Sequence, residues 1–280
     1  MFKEIAYKIR HLPFLVKANW LWDLVRKPYH QFLNRTNKGV EVVYEEAKFQ
    51  IAIPPEYYNI NIANYEKIAT LKLINWIKNN PNCLVIDIGC ANGLISTICL
   101  FASLECEVIA IDSDIESLAA TLKMCNYAAN KKLKIVNCLI SDTFSDKKTI
   151  DELNELTIKT IKKNNILGLP NATKYINLDK NIDNKIPLYS IDHLFNNYTH
   201  GYLKVLIKCD IEGAELFALK GAQEFIKACN PVILLSVHPE ILFSFNYSHN
   251  EITEFLSQIN YKYEVIAIDH EEHWWCEPVI

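Results

Sequence analysis

The chain has no cysteine pair at C-x-x-C spacing, no apolar run of membrane-spanning length, no internal repeat and no strong net charge. Each absence removes a class. A spanning helix needs about 20 consecutive apolar residues, and the longest runs here are far shorter. No secretory signal is evident either, so a cytoplasmic protein is expected. A formal charge of -4 argues against a general nucleic-acid binder. Nine cysteines are enough for disulfides, but Cys83, Cys90, Cys99, Cys125, Cys138 and Cys209 lie in or beside apolar stretches. Thiols so placed behave as small buried hydrophobes in a reducing compartment. What the chain does have is material for a core. Half of its 280 residues are hydrophobic, enough for one large α/β domain with an N-terminal extension, or for two small domains.

The charge is unevenly placed. Lys3, Lys8, Arg10, Lys17, Arg26, Lys27, Arg35 and Lys38 stand against only Glu4 and Asp23 in the first forty residues, so the remainder is acidic. The same segment carries Phe2, Tyr7, Phe14, Trp20, Trp22, Tyr29 and Phe32, and Pro13 and Pro28 divide it into short helical pieces. The favoured expectation is an extension packed on the domain. The sharper alternative is a peripheral surface, within residues 1–38, that rests on anionic lipid or docks a glycolipid. An extension of helices and a β-hairpin over 1–80 and a main domain over 81–280 are expected.

The stretch that organises the chain is Val85-Ile86-Asp87-Ile88-Gly89-Cys90-Ala91-Asn92-Gly93-Leu94-Ile95-Ser96. Residues 84–86 form an unbroken apolar run after Pro81 and Asn82, as a fully buried parallel strand does. Leu94, Ile95, Ile98, Leu100 and Phe101 then follow helical spacing. The unit reads as strand, tight glycine turn, helix. Gly89 lets the backbone turn where a Cβ would clash, and Gly93 admits a ligand or another backbone to the helix start. A second buried-strand run, 107–111, ends at Asp112, where a carboxylate can accept both ribose hydroxyls of a nucleoside. S-adenosylmethionine (SAM) methyltransferases and dinucleotide enzymes share this order. The missing third glycine of Gly-x-Gly-x-x-Gly disfavours a pyrophosphate turn, and with it a nicotinamide-dependent oxidoreductase.

Around this unit, residues 40–53 read as a hairpin turning at Glu45-Glu46-Ala47, and 65–78 as a helix with Ile68, Leu71, Ile74 and Ile77 on one face. Residues 115–130 read as a helix, and 134–140 as a third strand ending at Ser141-Asp142. Residues 149–163 read as a helix with Ile150, Leu153, Leu156 and Ile161 in phase. The polar stretch to Lys185 is either an acceptor lid or an idle surface excursion. A short strand from 186, with Ser190 as a helix N-cap, precedes a fourth core strand, 203–209, that ends at Asp210. A fifth, 232–237, ends at His238. A helix over 251–259 and a strand pair, 263–268 and 273–279, close the chain. The fold expected is α/β: a doubly wound, mostly parallel seven-stranded sheet with one antiparallel strand at its end.

The block Leu206-Ile207-Lys208-Cys209-Asp210-Ile211-Glu212-Gly213-Ala214-Glu215-Leu216-Phe217-Ala218-Leu219-Lys220-Gly221-Ala222 resembles the hallmark of FkbM family methyltransferases. The loop at 85–96, Ser190-Ile191-Asp192-His193-Leu194 and Leu235-Ser236-Val237-His238-Pro239 agree with it. Trp274-Trp275-Cys276-Glu277-Pro278 fits less well, and Ala91 stands where the family usually has asparagine. The resemblance, over about 40–280, implies a class I, Rossmann-like SAM methyltransferase fold. It further implies methyl transfer to a hydroxyl, often of a sugar in a glycan, glycolipid or natural product. On that basis Gly89, Gly93 and the backbone around Cys90 would take the methionine part of SAM, Asp87 its amino group and Asp112 its ribose. Asp142, with Ser141 beside it, would lie near the adenine, unless Asp142 is only a helix cap. Asp210, Glu212 and His238 would face the acceptor, with His238 or Asp210 as general base. The same three could hold Mg²⁺, although residues spread over two loops are a loose pattern and no dedicated metal site is assigned. Glu215 reads as structural, in the first turn of a helix. A non-catalytic module that keeps the fold remains the third reading.

Overall fold

The computed structural model of the chain describes residues 39–57, 62–168, 186–196 and 204–279. The basic aromatic segment 1–38 and residues 169–185 of the expected lid lie outside them. The first elements are a hairpin, β1 (Val40–Tyr44) and β2 (Phe49–Ile53), and helix α1 (Lys67–Asn79). Then come β3 (Cys83–Ile88), α2 (Leu94–Ala102), β4 (Glu107–Asp112), α3 (Ile115–Met124) and β5 (Leu133–Asn137). Two short strands, β6 (Leu139–Ile140) and β7 (Leu188–Tyr189), flank α4 (Ile150–Lys163), and α5 (Ile191–Phe195) follows β7. The last part is β8 (Lys204–Cys209), α6 (Glu215–Lys220), α7 (Gln223–Cys229), β9 (Val232–Val237), α8 (His249–Gln258), β10 (Tyr261–Ile268) and β11 (Glu272–Pro278).

Seven strands form the main sheet in the order β10-β11-β9-β8-β3-β4-β5. β3, β4, β5, β8 and β9 are parallel neighbours, and β11 runs antiparallel to both β9 and β10. The single antiparallel strand thus lies inside the sheet, between β9 and β10, rather than at its edge. The sequence does not reveal this because the closing hairpin inserts its second strand first.

Every residue of β3 is buried, since layers cover both faces of the sheet. Alternation along the strand divides the core in two. Leu84, Ile86 and Ile88 pack with α4, α6 and α8, whereas Cys83 and Val85 pack with α1, α2 and the β1–β2 hairpin. The hairpin therefore shares the sheet's own core. All nine cysteines are free thiols, and only Cys229 is not fully buried.

Three helix and strand expectations change. On α1 the buried face is Ala69, Thr70, Leu73, Ile74 and Ile77, while Ile68 is exposed. On α4, Thr149 forms a capping box with Glu152, and Ile150, Leu153 and Ile161 are buried, but Leu156 is exposed. The strand expected over 134–140 breaks at Cys138, whose N–H bonds the Asp112 carbonyl at 3.2 Å. The next two residues leave the sheet to pair with β7.

Candidate active site

The carboxyl ends of β3, β4, β8 and β9 bring the expected residues to one edge. Gly89 and Cys90 both donate backbone N–H to the Ile111 carbonyl, at 2.9 and 3.2 Å, which fastens the turn after β3 to the end of β4. Gly89 (φ 74°) and Gly93 (φ 77°) are left-handed, and Ala91 shares that conformation at φ 47°. A Cβ on Gly93 would stand 2.7 Å from the Thr121 backbone, so α3 crosses the turn where only glycine fits. Asp112 lies against the same turn. Its Oδ2 accepts from Ala91 N–H at 2.9 Å and its Oδ1 from Asp114 N–H at 2.8 Å. Burial raises its pKa to about 6, against the lowering effect of those two N–H groups.

Asp87 is fully buried. Ser96 Oγ donates to its Oδ2 at 2.6 Å, while its Oδ1 is buried without a hydrogen-bond partner. Across the sheet its register partner is Lys208. The buried Lys208 ammonium donates to the Gly89 carbonyl at 3.3 Å and to Asp210 Oδ2 at 3.0 Å, and stands 4.0 Å from Asp87 Oδ1. Burial works to lower the lysine's pKa, but Asp210, Asp87 and Glu66 together hold it above the ordinary value.

Beyond Asp210 the backbone is strained: Glu212 (φ 53°) and Gly213 (φ 97°) are both left-handed. Glu215 organises this loop. Its Oε1 accepts from the N–H groups of Gly213 and Ile211, at 3.0 and 3.3 Å, and lies 3.3 Å from His238 Nδ1. Its Oε2 is 3.3 Å from the Tyr247 hydroxyl, which also donates to the Gly213 carbonyl at 2.6 Å. The structural reading of Glu215 therefore fits its geometry. On its other side, His238 Nε2 lies 2.6 Å from Glu271 Oε2, 3.5 Å from Glu212 Oε2 and 3.7 Å from Asp210 Oδ1. Burial alone would lower the imidazole's pKa, but Glu215 and Glu271 outweigh it and raise it to about 11. Four carboxylates thus enclose His238 and favour its protonated form.

Residues 87–263 match a family described as the methyltransferase FkbM domain. The chain belongs to the FkbM methyltransferase family. It is accordingly a SAM-dependent methyltransferase. No curated protein matches this FkbM methyltransferase. Among solved structures it is similar to an FkbM methyltransferase from Methylobacillus flagellatus, with 13% identity, TM-score 0.41, 75% of this chain and 52% of that one covered. It is also similar to precorrin-6y C5,15-methyltransferase from Geobacter metallireducens, with 11% identity, TM-score 0.41, and 74% and 86% of the two chains covered. A third is a SAM-dependent methyltransferase from Aquifex aeolicus, with 14% identity, TM-score 0.36, and 77% and 92% covered.

In this FkbM methyltransferase, two expected residues follow a strand outside the main sheet. Ser141 and Asp142 follow β6, outside the main sheet, and the Ser141 carbonyl packs where a Cβ on Gly221 would lie 2.1 Å away. The strand end beside Asp112 is instead Asn137, whose amide donates to the Asp112 and Ser113 carbonyls at 3.0 and 2.9 Å. Residues the sequence reading passed over are Lys208, Tyr247 and Glu271. Lys208 carried a signal, as a lone charge inside an apolar strand run. Glu271 looked like an ordinary turn acid, and only the hairpin's placement carries it to His238.

Proposed function

We propose that the acceptor is a hydroxyl group of a sugar or sugar-like polyol, in a glycan, glycolipid or natural product. The observation that supports this is the cluster of Asp210, Glu212 and His238, one polar side-chain atom of each lying within 4.8 Å of the others beside the glycine turn. Carboxylates and a charged imidazole donate and accept at once, as neighbouring hydroxyls require. Their acidic surplus disfavours a phosphate-bearing acceptor.

The residues present fit SAM. The turn at 89–93 leaves no room for side chains at its two glycines, Asp87 Oδ1 lacks a hydrogen-bond partner, and two lone-pair positions of Asp112 remain for ribose hydroxyls. Bound SAM supplies a methyl group already activated on a sulfonium. The protein's part is to align the acceptor oxygen and take its proton. In our reading Glu212 takes it. This carboxylate is the most exposed of the cluster, and partial burial, opposed by His238, raises its proton affinity. Asp210 is already engaged by Lys208, and His238 positions both carboxylates. We read this triad without Mg²⁺, because carboxylates already face both imidazole nitrogens.

The test is methyl transfer from labelled SAM into matched pools of neutral glycans, RNA and protein. Base-stable methyl ethers in the glycan pool are expected, and label confined to RNA would overturn the reading. Glu212→Gln should lower kcat by about 10²–10⁴-fold with little change in the affinity for S-adenosylhomocysteine. A separate expectation follows for Asp112. Its ionised form, present above about pH 6, accepts the ribose hydroxyls. Affinity for S-adenosylhomocysteine should therefore weaken as the pH falls through that value, and calorimetry from pH 8 to pH 5 checks it. Asp112→Asn should flatten the profile.

A further inference from the structure

We propose that Glu66, Glu271 and His273 form a binding site for a divalent transition-metal ion. Glu66 immediately precedes α1, Glu271 immediately precedes β11 and His273 lies at its start, so the site joins that helix to the closing hairpin. One ligand atom from each lies within 4.8 Å of the others. The three residues are only 7%, 4% and 0% exposed.

A separate observation points to a ligand. Glu271 Oε1 is buried without a hydrogen-bond partner and stands 3.5 Å from His273 Nδ1. A desolvated carboxylate oxygen that accepts no hydrogen bond is costly, and a cation removes that cost. The surroundings match what a metal ligand needs behind it. His273 Nε2 is 3.3 Å from Asp269 Oδ1, so with Nδ1 turned to a metal the other ring nitrogen donates to a carboxylate. Ser236 Oγ lies 3.4 Å from Nδ1 and can turn its hydrogen elsewhere. The second oxygen of Glu271 is fixed by His238 at 2.6 Å. One imidazole with two carboxylates suits Mn²⁺, Zn²⁺ or Fe²⁺ better than Mg²⁺ or Ca²⁺. The set shares no ligand with Asp210, Glu212 and His238. Through Glu271, however, it holds the imidazole that orders the acceptor side.

The test uses the full chain, stripped with chelator and dialysed, then titrated with MnCl₂, ZnCl₂ and MgCl₂. Calorimetry and loss of the free Mn²⁺ electron-paramagnetic-resonance signal report binding. One equivalent of Mn²⁺ or Zn²⁺ is expected, with Mg²⁺ at least tenfold weaker. Glu66→Gln and His273→Gln should each weaken Mn²⁺ binding by about 10-fold or more, and Glu212→Gln should not. No stoichiometric binding would overturn the proposal. So would Mg²⁺ binding as tightly as Mn²⁺, or loss of binding in Glu212→Gln with retention in Glu66→Gln. Should His273→Gln fail to fold, the wild-type titration and Glu66→Gln, at the edge of the cluster, decide alone. The readout is binding, so the result is independent of whether the acceptor is a hydroxyl.

Discussion

Lys208→Met is expected to lower the free energy of unfolding by about 3–5 kcal/mol at neutral pH, the usual cost of stripping one partner from a buried ion pair. Lys208 is the buried cation between Asp87 and Asp210, and its nitrogen also bonds the Gly89 carbonyl. Methionine has nearly the same shape, so little cavity is created. What remains is Asp87 without its countercharge, with an oxygen that already lacks a hydrogen bond, and Asp210 with only His238 beside it. The sign of the pH dependence follows. Burial raises the pKa of Asp87, and Lys208 is the main influence opposing it. Without the lysine the folded-state pKa rises further above the unfolded one. The penalty is then full at neutral pH and relieved as the pH falls and the native carboxylate takes a proton. Urea unfolding at pH 7 and pH 5 should show the deficit shrinking toward the lower pH, and adding Asp87→Asn to Lys208→Met should recover part of it. A deficit below about 1 kcal/mol at both values, the range of an exposed pair, would show that Lys208 is not the charge that holds this edge together.

The same cluster shows how far the residues could be read beforehand. Buried parallel strands announce themselves as apolar runs, so β3, β4, β8 and β9, and the acids or histidine at their ends, were legible at once. Asp112 meets the glycine turn through Ala91 N–H, and β3 lies beside β8, which brings Asp87 to Lys208. What escaped depends on contacts distant in sequence. The charge of His238 is set by Glu271 and Glu215, and nothing near residue 238 in the chain shows that four carboxylates surround it. The end of β5 was misplaced for a related reason. Residues 134–140 are evenly apolar enough to be one strand, and it ends at Asn137 because Leu139 and Ile140 leave β4 to pair with β7. The adenine-side assignment of Ser141 and Asp142 rested on that strand's length.

Gly89→Ala is the second large effect, and it tests whether the turn is shaped for a cofactor or merely for the chain. The new Cβ would lie 1.7 Å from the Asp210 carbonyl oxygen and 2.8 Å from its carbon. Backbone cannot yield as a side-chain tip does, so the turn must separate from the end of β8. The left-handed conformation alone costs a non-glycine residue about 1–3 kcal/mol, and loss of the Asp210 N–H bond to the Ile88 carbonyl, 3.0 Å long, adds to it. Affinity for S-adenosylhomocysteine should fall beyond detection, by about 100-fold or more, equivalent to about 2.7 kcal/mol. Ala91→Gly is the matching control. It relieves a left-handed alanine at φ 47° in the same loop, so it should keep the fold and bind within a few-fold of wild type. If Gly89→Ala bound the nucleoside normally, the close approach of the turn to Asp210 would have no part in holding it. If Ala91→Gly abolished binding as completely, the loop's rigidity rather than its close contact with β8 would be what the cofactor needs.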